Sequence, residues 1–431
     1  MRPAFWTLQC SVSILVRSNL TRWLFGAAMG APPPGSTRLP ASQKLSVADR
    51  ELVQAEIQRL EQRLATDSDQ ATVMYAIART WAAAGQYRET MDWLRRVVAL
   101  NVGLDPSRDS VFDKVRRVTE YGNLMRKVRS GTLPVLRSQA AFRIEEADLL
   151  PEGIAYDPLG KCFYLGSTKK RKIVRGTEGG AYEVFIEEGR DGLGEVLGLK
   201  VQAGRRALWA TSNSAGKCGL FCYDLWSGRL IREYFVSGGD TAHEFNDLAV
   251  SALGDVFATD TRANTVWRVS HKIDSLEPLP LDRPIQFPNG IALSDDEKRL
   301  YVAGFGDGIT VVDPGSGKSR AIGRPSNLCL ATIDGLCYSR GSLVAVQNGV
   351  MTPRVVQLRL SQDENAIESF EILERRNPLF DGITTGAIAD GNFYYMANTQ
   401  LDRAGSPGVG PPLASDRNFE SGAQKLRRAL N

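Results

Sequence analysis

Two hydrophobic periods divide this chain. Between about residues 46 and 130 the apolar positions recur at helical spacing. Leu52, Ile57, Leu60 and Leu64 predict one face of a helix over 47–64, with Ser46 as its N-cap and Asp49 three residues on. Two further helices are predicted over 70–84 and 87–100, joined by Gly85-Gln86, and another over 110–128. From about residue 150 the period falls to two. Short alternating runs rich in β-branched and aromatic residues replace the helical spacing, among them Cys162-Phe-Tyr-Leu, Ala207-Leu-Trp-Ala, Leu300-Tyr-Val-Ala and Leu343-Val-Ala-Val.

The β region repeats. Pro151-Glu-Gly-Ile-Ala-Tyr, Val196-Leu-Gly-Leu-Lys-Val, Phe245-Asn-Asp-Leu-Ala-Val, Pro288-Asn-Gly-Ile-Ala-Leu, Ile333-Asp-Gly-Leu-Cys-Tyr and Thr385-Gly-Ala-Ile-Ala are versions of one motif that returns every 43–51 residues. A unit of that length with several short strands is a propeller blade. Six copies predict an all-β six-bladed β-propeller with an N-terminal α-helical domain. A β-sandwich would not require the same motif to return at that interval. The division expected is 1–45 leader or disordered linker, 46–130 helical domain, 145–403 propeller and 404–431 C-terminal tail. Within the helical region, Met74, Ile77, Ala78, Trp81, Gly85, Leu94, Val97 and Val98 resemble one tetratricopeptide repeat. A lone repeat cannot cover both its faces, so it packs on itself or on a neighbour, or else engages a protein partner.

Charge narrows the classes. The chain of 431 residues carries a net charge of +4. Residues 1–48 hold five basic side chains and no acidic one, which leaves the rest near neutral. A nucleic-acid binder with a basic face is not indicated. No run of 18 apolar residues predicts a transmembrane helix. The stretch from Trp23 to Ala31, ahead of Pro32-Pro33-Pro34, resembles the end of a signal peptide. The long basic segment before it also fits a transit peptide or a plain tail. Export, to a periplasm or the exterior, is the expectation, with a cytoplasmic location as the alternative. The six cysteines form no CxxC pair, and those in strand-like runs read as small buried residues.

The repeat register selects the chemistry. The residue before the marker glycine reads Glu152, Leu197, Asn246, Asn289, Asp334 and Thr385 in successive blades, and Asp247 stands on the marker itself. Innermost strands line a propeller's channel, so Glu152, Asn246, Asn289 and Asp334 are expected to converge at one mouth. Carboxylate and amide oxygens are hard donors, which suit Ca2+ ahead of Mg2+, Mn2+ or Zn2+. Asn-Gly and Asp-Gly are also ordinary turn dipeptides, but their common register argues for a metal site. Gly315-Ser-Gly-Lys-Ser319 lacks the first glycine of a phosphate loop and reads as a hairpin turn. There is no GxSxG elbow and there are only two histidines, His243 and His271, so a Ser-His-Asp hydrolase is not expected.

Taken together, Pro151-Glu152-Gly153, Asn246-Asp247, Pro288-Asn289-Gly290 with Leu293-Ser294, and Ile333-Asp334-Gly335 resemble the senescence-marker-protein/gluconolactonase/luciferin-regenerating superfamily over residues 150–403. The resemblance implies that Glu152, Asn289 and Asp334 bind a divalent cation. It also implies that Asn246 contacts metal or substrate and that Asp334 doubles as the base. The related paraoxonases carry a His-Gly motif where this chain has Leu197-Gly198, which argues against their chemistry. The expected activity is calcium-dependent hydrolysis of a lactone or related ester. The cation polarises the carbonyl, Asp334 or Asp247 accepts a proton from water, and His243 and Asn246 contact the substrate. The competing expectation is a non-catalytic binding or sensor module with a structural cation and a partner-binding helical domain.

Overall fold

The computed structural model describes residues 39–66, 70–146, 148–236, 242–401 and 421–426. The expected leader and most of the expected C-terminal tail lie outside the described residues. Two compact units divide at about residue 131.

The first unit is helical: α1 (Val47–Thr66), α2 (Gln70–Ala83), α3 (Tyr87–Ala99) and α4 (Thr119–Gly131). Ser46 caps α1, its hydroxyl accepting the Asp49 backbone N–H at 3.2 Å. The inner face of α1 is Val53, Ile57 and Leu60, whereas Leu52 is 63% exposed. Positions 53, 57 and 60 share the helical stripe, and Leu52 lies about 100° away from it. Val73, Ile77, Ala78, Met91, Leu94, Phe112 and Tyr121 complete one core. The last helix starts later than the sequence predicts. The Asp105 and Asp109 side chains accept the N–H groups of Ser107 and Val111, so tight 3-10 turns replace its first two turns.

The second unit is a β-propeller of strands β1–β24, paired into six four-stranded antiparallel sheets. Five sheets are each made of four consecutive strands: β2–β5 (151–186), β6–β9 (199–235), β10–β13 (245–278), β14–β17 (288–321) and β18–β21 (333–375). Here the structure departs from the repeat, because contiguous blades number five. The remaining sheet is composite. It takes β22 (Gly386–Ala389) and β23 (Asn392–Met396) from the last repeat, β24 (Ser421–Leu426) from the expected tail and β1 (Ser138–Ile144) from before the first repeat. Pairing β1 with β24 covers strand edges that would otherwise stay open.

The first strand of each contiguous sheet, and β22 of the composite one, is innermost, and these strands neighbour one another in the cyclic order β2, β6, β10, β14, β18, β22 and back to β2. Apolar clusters fill the gaps between successive sheets. Ile173 meets Leu208 and Phe221, Leu220 meets Phe245, Phe257 meets Ile291, Tyr301 meets Leu343, Val344 meets Phe393, and Tyr394 meets Phe163. Cys162, Cys218, Cys222, Cys329 and Cys337 are buried free thiols within this unit. Gly315–Gly317 is a turn between two strands, with the Asp313 carboxylate accepting the N–H groups of Gly315 and Ser316. Among the described residues no helix is long and apolar enough to cross a membrane.

Candidate functional site

The marker glycines exist because neighbouring blades touch there. A Cβ on Gly153 would lie 2.0 Å from the Leu197 carbonyl oxygen of the next blade. One on Gly198 would lie 2.6 Å from the Asn246 oxygen, and one on Gly290 2.4 Å from the Asp334 oxygen. Asp247 is the exception, and its side chain uses the position differently. Its carboxylate accepts the Leu248 N–H at 2.8 Å and the Ile291 N–H of the following blade at 3.4 Å.

Buried threonines bridge the same joints. Thr211 accepts from Gly198 N at 2.8 Å and donates to Asn246 O at 3.3 Å. Thr259 accepts from Asp247 N at 3.0 Å and lies 2.7 Å from Asn289 O. Thr384 donates to Glu152 O at 3.2 Å. The Thr211 and Thr259 hydroxyls each satisfy backbone groups of two adjacent blades, which fixes the register of the motif at those joints.

The pairing of innermost with second strands breaks at four places. The register shifts between Pro151 and Gly153, between Phe245 and Leu248, between Pro288 and Ile291, and between Ile333 and Leu336. Glu152, Asn246, Asn289 and Asp334 fall inside those four shifts. The same one-residue offset surrounds Leu197, between the Glu195–Asn213 bridge and the Leu199–Ala210 pair, whereas the β22 pairing shows none. A bulge leaves a residue unpaired and re-aims its side chain.

Backbone strain recurs at the same sites. Leu150, Phe287 and Thr332, each two residues ahead of Glu152, Asn289 and Asp334, have φ of 41°, 48° and 56°. Bulky and β-branched residues rarely adopt that region, and such strain collects where side-chain placement matters.

The electrostatics of the mouth are those of a site lacking a counter-charge. Glu152 keeps partial contact with solvent, yet its carboxyl is surrounded by protein. Burial, together with the fields of Asp334, Asp247 and Glu244, pushes its carboxyl well above the ordinary carboxylate range. Burial also raises Asp247, against the pull of Lys200 and of the N–H groups it accepts. Burial and the charge of Glu244 raise Glu195.

Among the described residues the side chains of Glu152, Asn246 and Asn289 have no hydrogen-bond partner; these residues bond through their backbone carbonyls. Asp334, 8% exposed, accepts from Asn348, which also donates to Ile383 O at 3.1 Å. Two carboxylates and two amides, of which Glu152, Asn246 and Asn289 have no side-chain partner among the described residues, suit a hard dication, which would offset the neighbouring charges that help raise Glu152. The absence of thiolate or imidazole from the set disfavours zinc. Among the described residues no group of three or more His, Cys, Asp or Glu side chains is placed to hold a metal, at this mouth or elsewhere, so amide oxygens would have to complete the set.

His243 lies on the segment entering β10 at this mouth, three residues before Asn246. Its Nδ1 is 2.6 Å from Asp260 Oδ2. Sequence reasoning singled out His243 but missed Asp260, which is one aspartate at a strand end without a motif of its own. It also missed Lys200, Glu195 and Glu244. Gln347, beside Asn348, is structural: its amide donates to Cys329 O and Ala331 O.

No protein-family model matches this chain and no curated protein is similar to it in sequence. Among solved structures it is similar to a PQQ-bound aldose sugar dehydrogenase from Streptomyces coelicolor, at 18% identity and a TM-score of 0.48, covering 68% of this chain and 97% of that one. It is also similar to a gluconolactonase from Xanthomonas campestris, at 15% identity and a TM-score of 0.46, covering 66% and 87%. A third is the calcium-binding protein regucalcin from Agrobacterium tumefaciens, at 15% identity and a TM-score of 0.46, covering 67% and 94%. At that distance the fold rests on the strand pairing described above, and the chemistry rests on this chain's own residues.

Proposed function

We propose that Glu152, Asn246, Asn289 and Asp334 hold a divalent cation, calcium by preference, and that the site hydrolyses a lactone or a related ester. The observation that supports this is the common register of the four oxygen-bearing side chains on the innermost strands, with Glu152, Asn246 and Asn289 left without a side-chain hydrogen-bond partner among the described residues. In the same reading the composite sheet is the sixth blade, and α2 and α3 are a tetratricopeptide-like hairpin.

A bound dication supplies Lewis-acid polarisation of a carbonyl oxygen. The rest is the work of the chain. Asn246 and Asn289 present neutral oxygens, so the site carries two ligand charges and not four. Asn348 holds the Asp334 carboxylate in place. Asp334 stands where the family resemblance implies a ligand that doubles as the proton acceptor. Asp247 is assigned to the joint between blades, because backbone N–H groups already occupy its oxygens. The apolar clusters between sheets keep water out of the walls, so solvent reaches the ligands through the channel.

The test is elemental analysis of the purified full chain, joined to hydrolysis of a lactone and aryl-ester panel with and without chelator. One equivalent of calcium, activity lost on chelation, and loss of both in Glu152→Gln and Asp334→Asn are expected. Bound calcium with no hydrolysis of any panel member sinks the enzymatic reading. Failure to bind any dication sinks the site itself.

A further inference from the structure

We infer that His243, oriented by Asp260, is the catalytic base of this site, in place of Asp334. The inference rests on the ester-hydrolysis reading above.

Asp260 is fully buried and every contact it makes is directional. Its Oδ1 accepts the N–H groups of Glu244 and Ala263, each at 3.1 Å. Its Oδ2 accepts Trp267 Nε1 at 3.0 Å and lies 2.6 Å from His243 Nδ1. The imidazole also packs edge-on against the Trp267 ring, with centroids 5.7 Å apart. A carboxylate so anchored accepts, so in the neutral ring the His243 proton resides on Nδ1 and Nε2 carries the lone pair. Among the described residues nothing bonds to Nε2. Asp260 pairs with Phe245, the residue before Asn246, which sets this segment at the end of β10 that carries the ligand.

His271 shows what a structural version looks like. Its Nδ1 is 3.0 Å from Asp255, but Asp255 also takes a 3.1 Å ion pair from Arg268, and the pair lies at the far end of the same blade.

The step balances with water alone. His243 Nε2 takes a proton from water as the oxygen bonds to the carbonyl carbon. The ring C–O bond then breaks, and the same proton passes to the departing alkoxide, giving a hydroxy acid. Asp334, engaged by Asn348 and serving as a cation ligand, is left free of proton transfer.

The test uses the full chain. His243→Ala is expected to lower kcat by about 100-fold or more, the usual worth of a general base. It should leave KM and calcium affinity by titration calorimetry unchanged, and added imidazole should restore part of kcat. His271→Gln is the control expected to keep full activity. In long-range 1H–15N spectra of labelled protein, which has only two histidines, His243 is expected as the Nδ1–H tautomer. Activity of His243→Ala close to wild type, a loss that imidazole does not restore, or an Nε2–H tautomer overturns the assignment while leaving the cation site standing. A wild-type chain that binds calcium but hydrolyses nothing fells both readings.

Discussion

Gly290→Ala joins the fold to the site in one substitution. Gly290 follows Asn289, and its missing side chain faces the next blade's backbone. An added Cβ would lie 2.4 Å from Asp334 O, 2.7 Å from Leu336 N and 2.9 Å from Gly335 C. Real Cβ contacts essentially never fall under 3.0 Å, so blades must separate by about 0.6 Å at the first of these atoms. All three atoms are backbone, so no side chain can swing aside. Overpacking of this kind costs about 1–3 kcal/mol or somewhat more. For a unit of this size that is roughly 2–4 °C of Tm per kcal/mol. The displaced atom belongs to Asp334 itself, so calcium affinity is expected to fall with stability. Gly122→Ala is the internal control, since nothing lies within 4 Å of that helical position. Replacing a helix-interior glycine by alanine should stabilise by about 0.5–1 kcal/mol. Thermal melts and calcium titrations of the two variants, side by side, check both effects. A Gly290→Ala protein with wild-type melting and wild-type affinity refutes the claim that the marker glycines set blade spacing.

Three other outcomes are expected. Burial alone would raise Asp157, but the Arg206 guanidinium at 2.6 and 2.7 Å and nearby backbone N–H groups hold it below the usual range. That contribution is complete above the unfolded carboxylate value of about 3.9 and is lost as pH falls through the lower folded value. Arg206→Met should therefore cost about 1–3 kcal/mol near neutrality in urea titrations and flatten the acid limb; an unchanged acid limb counts against the pair. Thr259→Val leaves Asp247 N and Asn289 O without their partner and should cost about 1–3 kcal/mol, whereas Thr310→Val removes a buried hydroxyl that has no partner and should be neutral or stabilising; equal effects in denaturant melts would contradict the bridging role. Calcium at about 100 times its dissociation constant should raise stability by about 2.7 kcal/mol, and Glu152→Gln should abolish that gain in calorimetric scans.

The sequence made the ring readable and left its closure hidden. The marker motif is legible because close approach of blades demands glycine at one register, and that demand repeats. Leu52 was misplaced because Leu52 and Val53 are both apolar, and only packing decides which of two adjacent residues faces inward. β1 and β24 carry no marker, since the composite sheet draws on them as outer strands away from the channel, and outer strands have no close contact to encode. The register shifts at Glu152, Asn246, Asn289 and Asp334 were equally invisible, because a bulge is a property of two paired strands. Asp260 was out of reach for the same reason: its value lies in what it touches.

The distribution of strain shows why the four oxygens are more than turn residues. A turn glycine or asparagine relieves strain locally, since αL backbone is cheap for it. Here the cost falls on Leu150, Phe287 and Thr332, residues for which that backbone is unfavourable by about 1–2 kcal/mol each. Had the motif served turning alone, glycine at those three positions would remove the penalty. Glu152 adds a second cost, a carboxyl pressed by Asp334, Asp247 and Glu244. The backbone cost falls two residues ahead of Glu152, Asn289 and Asp334 and the charge cost on Glu152, while Glu195 and Ile383, two residues ahead of Leu197 and Thr385, have no positive φ. Apolar or β-branched residues held at positive φ beside three of the four oxygens accord with the proposed cation site, where a dication would turn the second cost into attraction.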